Sequence, residues 1–120
     1  MPYRLLFVDD EDALRTLMRD QLSLEGFEVE TAENGEDAVA LLQKDEFDLV
    51  LLDIRMPGMD GIAVLNFMKT QRIMPRVIML TALDDLAMAD QSVKLGASDY
   101  MTKPYALADL LSCIHRVLAQ

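Results

Sequence analysis

Cysteine and histidine are almost missing from this sequence. Cys113 is the sole cysteine and His115 the sole histidine, so no internal disulfide can form and a zinc ligand set is out of reach. A reducing, cytoplasmic compartment is the expectation. Positive charge is also scarce: 11 Lys and Arg stand against 21 Asp and Glu, a formal charge of −10. That balance opposes direct contact with nucleic-acid phosphates or an anionic membrane surface, and favours metal cations and basic partners. Long apolar runs are lacking too. The first ten residues hold only a short apolar run closed by two acids, too little for a signal peptide, and no other stretch approaches bilayer length, so no membrane insertion is expected. Nor does any run of Pro, Gly or Ser mark a linker. One domain over residues 1–120 is therefore expected, long enough to bury roughly two thirds of its unfolded surface.

What is present is a regular alternation of short apolar runs with segments of helical period. Leu5, Leu6, Phe7 and Val8 suit a strand buried on both faces. Asp12 through Leu24 then repeats Leu14, Leu17, Met18 and Leu22 at helical spacing, with Arg15, Arg19, Asp20 and Gln21 facing out and Gly26 ending the helix. Phe27 to Thr31 reads as a second strand, Asn34 and Gly35 as a turn, and Ala38, Val39, Leu41 and Leu42 as the apolar side of a second helix. Leu49 to Leu52 forms a third strand ending at Asp53, and an irregular loop leads to a third helix, Ile62 to Lys69. Pro75 precedes a fourth strand, Val77 to Leu80, that ends at Thr81.

Asp84 or Asp85 is expected to cap a fourth helix ending at Gly96. Asp84, Asp85 and Asp90 would keep it solvated, while Ala87, Met88, Ala89 and Val93 pack inward or form a contact surface. Asp99 to Thr102 is the fifth strand, and Leu107, Leu110, Leu111, Ile114 and Leu118 line one side of the last helix. Five such pairs predict an α/β fold, a parallel sheet covered by helices on both faces; a closed barrel would need eight.

Sheets of this kind bind their ligands at the carboxyl ends of the strands. Asp9 and Asp10 follow the first strand, Asp53 the third, Thr81 the fourth and Lys103 the fifth. Three carboxylates gathered there repel one another unless a cation joins them, and oxygen ligands without a cysteine or histidine set point to Mg²⁺, with Mn²⁺ as a substitute. Asp53, placed between a buried strand and a loop, suits a nucleophile that forms an acyl phosphate. The Lys103 ammonium could neutralise one phosphoryl oxygen, and the Thr81 hydroxyl could donate a hydrogen bond to another. Taken singly, each residue has a plainer role: an acid that ends a strand, a threonine helix cap, a solvated lysine. The five together make that a poor explanation.

The acidic pair in FVDDE, the aspartate in LLDIRMPGMDG, the hydroxyl residue in MLTA, and GASDYMTKPY with its lysine and proline resemble the receiver domain of bacterial two-component response regulators. The single-domain chemotaxis regulator shares this fold, and the resemblance covers essentially the whole chain. It implies a flavodoxin-like three-layer sandwich, doubly wound, with a five-stranded parallel sheet of order 2-1-3-4-5 and five flanking helices. It also implies that Asp53 is phosphorylated, and that Asp9 and Asp10 hold Mg²⁺ with the Asp53 carboxylate and the backbone carbonyl of Arg55. Asp10 would bind more directly and Asp9 through water.

By the same resemblance Thr81 moves toward the phosphoryl group and Tyr100 turns from exposed toward buried, reshaping the surface of helix four, strand five and helix five. Read by itself, Tyr100 is equally compatible with a static ring. The donor would be a histidine kinase or a histidine phosphotransfer protein, and the receiver of the signal an unidentified downstream protein or output domain. The chain would not be a dedicated enzyme, only a phosphoacceptor that assists its own phosphotransfer and dephosphorylation. A phosphorylation-dependent homodimer fits the resemblance, although Cys113 stands where the class with winged-helix outputs usually carries arginine. Arg55, a long cation two residues after Asp53, is expected to change the lifetime of the phosphorylated form, in a direction the sequence leaves open.

Three other functions compete with this one. A small metal-dependent phosphatase would use a similar aspartyl phosphate, but neither a second acid after Asp53 nor an inserted cap segment is apparent. A phosphorylation-independent interaction domain of the same fold would be favoured by loss of an acid or of Lys103, and none is lost. A flavin or dinucleotide site is opposed by Asp9, Asp10 and Glu11, where a Ser, Thr and Gly phosphate loop or a GxGxxG would stand. Whether the chain is complete or the receiver part of a longer regulator is left open.

Overall fold

The computed structural model describes residues 2–73 and 75–120. The apolar runs become strands β1 (Arg4–Val8), β2 (Glu28–Ala32), β3 (Leu49–Asp53), β4 (Arg76–Thr81) and β5 (Asp99–Thr102). Between and after them lie helices α1 (Asp12–Leu24), α2 (Gly35–Lys44), α3 (Gly61–Gln71), α4 (Leu86–Lys94) and α5 (Leu107–Leu118), with a single 3-10 turn, Leu83–Asp85, leading into α4. All pairings are parallel and the order is β2-β1-β3-β4-β5, as the resemblance implies.

Each central strand carries an unbroken apolar run, Leu5–Val8, Leu49–Leu52 and Val77–Leu80, because alternate side chains serve opposite cores. Leu5, Phe7, Leu49, Leu51, Ile78 and Leu80 pack with Met18 and Leu22 of α1 and with Leu110, Cys113, Ile114 and Val117 of α5. Leu6, Val8, Val50, Leu52, Val77 and Met79 face the other way, onto α2, α3 and α4. The edge strand β2 differs: Glu28 and Glu30 are exposed along it, and only Ala32 is fully buried.

Local chemistry fixes the helix ends. Asn34 accepts a hydrogen bond from the Asp37 N–H at 2.7 Å and caps α2, and Asp60 accepts one from the Ala63 N–H at 2.9 Å and caps α3. Three expectations need correction: the Asp85 cap, the solvation of Asp85 and the inward packing of Leu17. Asp85 occupies the capping position of α4 but makes no side-chain cap, because its carboxylate is taken by Arg55; it is buried rather than solvated. On α4 only Ala89 of the four apolar residues singled out is fully buried, while Val93 is exposed along with Leu83 and Leu86. Leu17 of α1 is likewise exposed, at the edge of a groove rather than in the core.

Gly61 begins α3 where the backbone turns back under Asp53, and its N–H donates to the Ile54 carbonyl at 2.9 Å. A Cβ there would run into the Asp53 carbonyl oxygen and come within 2.9 Å of Ile54 Cα. Neither neighbour is a flexible side chain. Gly61→Ala is therefore expected to destabilise the fold by about 1–3 kcal/mol. Urea unfolding measures it, and an unchanged midpoint would show that α3 moves away freely.

Candidate functional site

At the carboxyl edge of the sheet, register brings the polar residues of four different segments together. Asp53 lies beside Leu80, and Thr81 beside Thr102. The Ile54 N–H donates to the Leu80 carbonyl at 3.0 Å, and the Lys103 N–H to the Thr81 carbonyl at 2.7 Å, so the ladder carries each side chain to the rim. The Lys103–Pro104 peptide is cis. Asp9 is 1% exposed and Asp53 6%, whereas Asp10 opens to solvent.

Carboxylate oxygens of Asp9, Asp10 and Asp53 all lie within 4.8 Å of one another. Lys103 stands between two of them: its Nζ donates to Asp9 Oδ2 at 2.7 Å and lies 3.3 Å from Asp53 Oδ2. The other Asp9 oxygen, Oδ1, accepts the Glu11 N–H at 2.9 Å. Burial raises the Asp53 carboxyl, Lys103 opposes this, and Asp9 and Asp10 add to the rise, leaving it at about 6. Burial by itself would lower the Lys103 ammonium, but its bond to Asp9 and the charges of Asp53 and Asp9 outweigh that and raise it. One lysine thus sits among three acids, and charge balance leaves room for a further cation. The donors are hard oxygens, which fit Mg²⁺ or Mn²⁺ and exclude a soft-metal preference.

Thr81 is buried at the same edge, its hydroxyl donating to the Ala82 carbonyl at 3.2 Å. Tyr100 is half-buried and packs against the core on the α4 side. All five residues expected to do chemistry, Asp9, Asp10, Asp53, Thr81 and Lys103, therefore lie at one edge of the sheet, while the Arg55 side chain pairs with Asp85.

Three side chains have roles that the sequence reading missed. Arg15 was expected to face out, yet its Nη1 donates to the Asp9 carbonyl at 2.8 Å, and Asp12 and Glu33 also hold it, so it braces the end of β1. The Arg55 guanidinium reaches Asp85, 30 positions along the chain. Tyr105 lines a groove of about 560 Å³ with Leu14, Leu17, Met18, Lys103 and Leu107. Its buried hydroxyl has no hydrogen-bond partner among the described residues. Burial, with Lys103 opposing and Asp9 and Asp53 adding, pushes that phenol up to about 12. Only the Arg15 pairing had a local signal, Asp12 three residues earlier on the same helix.

Comparison with known proteins points the same way as the geometry. The profile of the response regulator receiver domain matches residues 5–115. Among curated proteins, the regulatory protein AtoC of Escherichia coli (strain K12) is 40% identical over 115 residues, which is 96% of this chain and 25% of AtoC. The chain spans from a quarter to about half the length of the curated relatives it matches. A CheY-like response regulator receiver domain protein from Methanospirillum hungatei superposes with a TM-score of 0.93 at 33% identity, covering 99% of this chain and 95% of that one. Vibrio cholerae chemotaxis protein CheY4 gives 0.90 at 30% identity, covering 98% and 99%.

Proposed function

Since this chain belongs to the response regulator receiver domain family, we propose that it is a phosphorylation-dependent switch whose acceptor is Asp53, serving as a signalling domain rather than a dedicated enzyme. The observation that carries the reading is the convergence of Asp9, Asp10 and Asp53 on Lys103 at the carboxyl edge of the sheet. In this reading an Asp53 carboxylate oxygen attacks the phosphorus of a phosphohistidine on a histidine kinase or phosphotransfer protein. The new O–P bond forms as the N–P bond breaks, and the imidazole leaves with the bonding pair and takes a proton from water.

Asp9, Asp10, the Asp53 carboxylate and the Arg55 carbonyl would hold Mg²⁺ or Mn²⁺. When bound, the ion supplies positive charge that keeps Asp53 ionised and offsets charge on the phosphoryl oxygens. Lys103, whose Nζ lies 3.3 Å from Asp53 Oδ2, would neutralise a phosphoryl oxygen there. The Thr81 hydroxyl would leave the Ala82 carbonyl to donate to another, drawing its loop along and allowing Tyr100 to turn further inward. The changed surface of α4, β5 and α5 would then be read by a downstream protein or output domain, or by a second copy of the chain, in the cytoplasm. Among the described residues no helix is long and apolar enough to cross a membrane. The acidic balance argues against direct nucleic-acid contact by this domain.

Intact mass after incubation with a small-molecule phosphodonor tests the reading. One phosphoryl group is expected with Mg²⁺ and none after EDTA. Repeated failure to modify the protein with fresh donor and Mg²⁺ would leave the phosphorylation-independent interaction domain as the better account.

A further inference from the structure

Two loops flank the carboxylate cluster, and one ion pair ties them together. Arg55 lies just beyond β3, and Asp85 closes the 3-10 turn just beyond β4. The guanidinium donates through Nε to Asp85 Oδ2 at 2.8 Å and through Nη2 to Oδ1 at 2.6 Å, the two-pronged arrangement that is the stronger form of such a contact. The exposures of the partners are opposite: the Arg55 side chain is 70% exposed and that of Asp85 only 6%. Asp85 is thus a carboxylate held inside by an arginine that could itself swing into water. Its two carboxylate oxygens each meet the guanidinium, so the negative charge is compensated where it stands. Without the guanidinium that charge would be buried and unpaired, and an outward shift of the turn would relieve it.

The short segment from Thr81 to Asp85 has little slack. The Thr81 hydroxyl donates to the Ala82 carbonyl, and the Asp85 N–H donates to the same oxygen at 3.0 Å. Drawing Thr81 toward Asp53 disturbs that shared acceptor and pulls on the turn that Asp85 anchors. Leu83 and Leu86, both exposed, lie on either side of the anchor.

We propose that the Arg55–Asp85 pair is a latch that holds the loop between β4 and α4 in its resting position and so opposes the movement of Thr81 and α4 that follows modification of Asp53. The consequence for switching rests on the phosphoacceptor reading above, whereas the tether itself belongs to the unmodified chain. Any stability the pair gives the resting form alone reduces the fraction of molecules competent to hold a phosphoryl group tightly. Arg55 therefore acts on the reaction as a positioning residue, by restraining the turn.

Asp85→Asn, Arg55→Gln and the double variant test this with two readouts. In the unmodified proteins, NMR signals of the Leu83 to Leu86 amides are expected to shift in each single variant, with the double resembling either one. With Mg²⁺ and beryllofluoride as a phosphoryl analogue, apparent affinity is expected to rise about fivefold or more in each single variant and no further in the double. Arg55→Lys keeps the charge but loses the fork; it is expected to fall between wild type and Arg55→Gln, and guards against a variant that fails to fold. Unmoved amides, shifted amides with unchanged or weaker affinity, or additive single effects would each overturn the latch. Failure of wild type and variants alike to bind beryllofluoride, with the amides still shifting, would overturn the phosphoacceptor reading and the switching role while the tether stands.

Discussion

Asp53→Asn is expected to take up no phosphoryl group under conditions that load the wild type with one, and at the same time to make the metal-free protein more stable at neutral pH. The two effects share a cause. The Asp53 carboxyl sits at about 6 in the fold, raised from 3.8 mainly by burial, with Asp9 and Asp10 adding to the rise. A raised value means that the fold favours the protonated form. That contribution to stability is complete below about pH 4 and is lost as pH climbs through about 6. At pH 7 in EDTA the ionised group therefore costs the wild type about 3 kcal/mol, a cost the neutral amide does not incur.

Urea unfolding of both proteins at pH 4, 5.5 and 7 would show a stability difference that opens with pH in favour of the variant, and Mg²⁺ should narrow it by stabilising the wild type alone. A difference that does not depend on pH would refute the electrostatic account of the site. Uptake of a phosphoryl group by the variant would refute the assignment of the acceptor.

Lys103→Met should do the opposite to stability. The ammonium is bonded to Asp9 and lies next to Asp53, and both carboxylates are buried. With a methionine there, Asp9 Oδ2 loses its charged partner and the acids face one another without compensation. Breaking a buried pair from one side costs about 3–5 kcal/mol, and because Lys103 is partly exposed the lower figure applies in EDTA. Phosphoryl uptake at saturating Mg²⁺ should slow by about a hundredfold or more, the usual cost of removing a charged donor aimed at a reacting group. If Mg²⁺ restores stability while uptake remains slow, Lys103 acts on the transferred group. Wild-type uptake rates in a destabilised variant would reduce it to a structural counter-ion.

The parts of the fold that could be read from sequence are those in which one short segment carries its own signal. Asp12 to Leu24 emerges with the expected bounds because helical period, an acidic start and a following glycine agree. Strand limits slip by a residue where backbone pairing continues under a side chain that breaks the apolar run, as at Arg4 and Arg76. Phe27, which its apolar ring assigns to β2, lies just before the ladder, that ring 5.9 Å from the ring of His115.

The site was readable for the same local reason. Each polar residue closes an apolar strand, and parallel strands deliver all such closures to one edge. Pairings between distant segments were not readable. Nothing in the stretch from Asp53 to Met56 indicates that Arg55 will meet Asp85; that requires β3 and β4 to be neighbours, a fact of sheet order. Helical period placed Arg15 outward, and only the position of Asp9 above α1 explains why its long side chain folds back.

The exposed glutamates of β2 bear on how the molecule behaves in a crowd. This strand borders the sheet, so one side of its backbone carries hydrogen-bonding groups that no neighbouring strand among the described residues satisfies. Glu28 and Glu30 project from that border, and against a second molecule they would bring like charge to like charge, which discourages the sheet from growing by recruitment of another chain. That protection lies in the two side chains: with Glu28 and Glu30 both replaced by threonine, the border becomes a place where strands from separate molecules can join into aggregates.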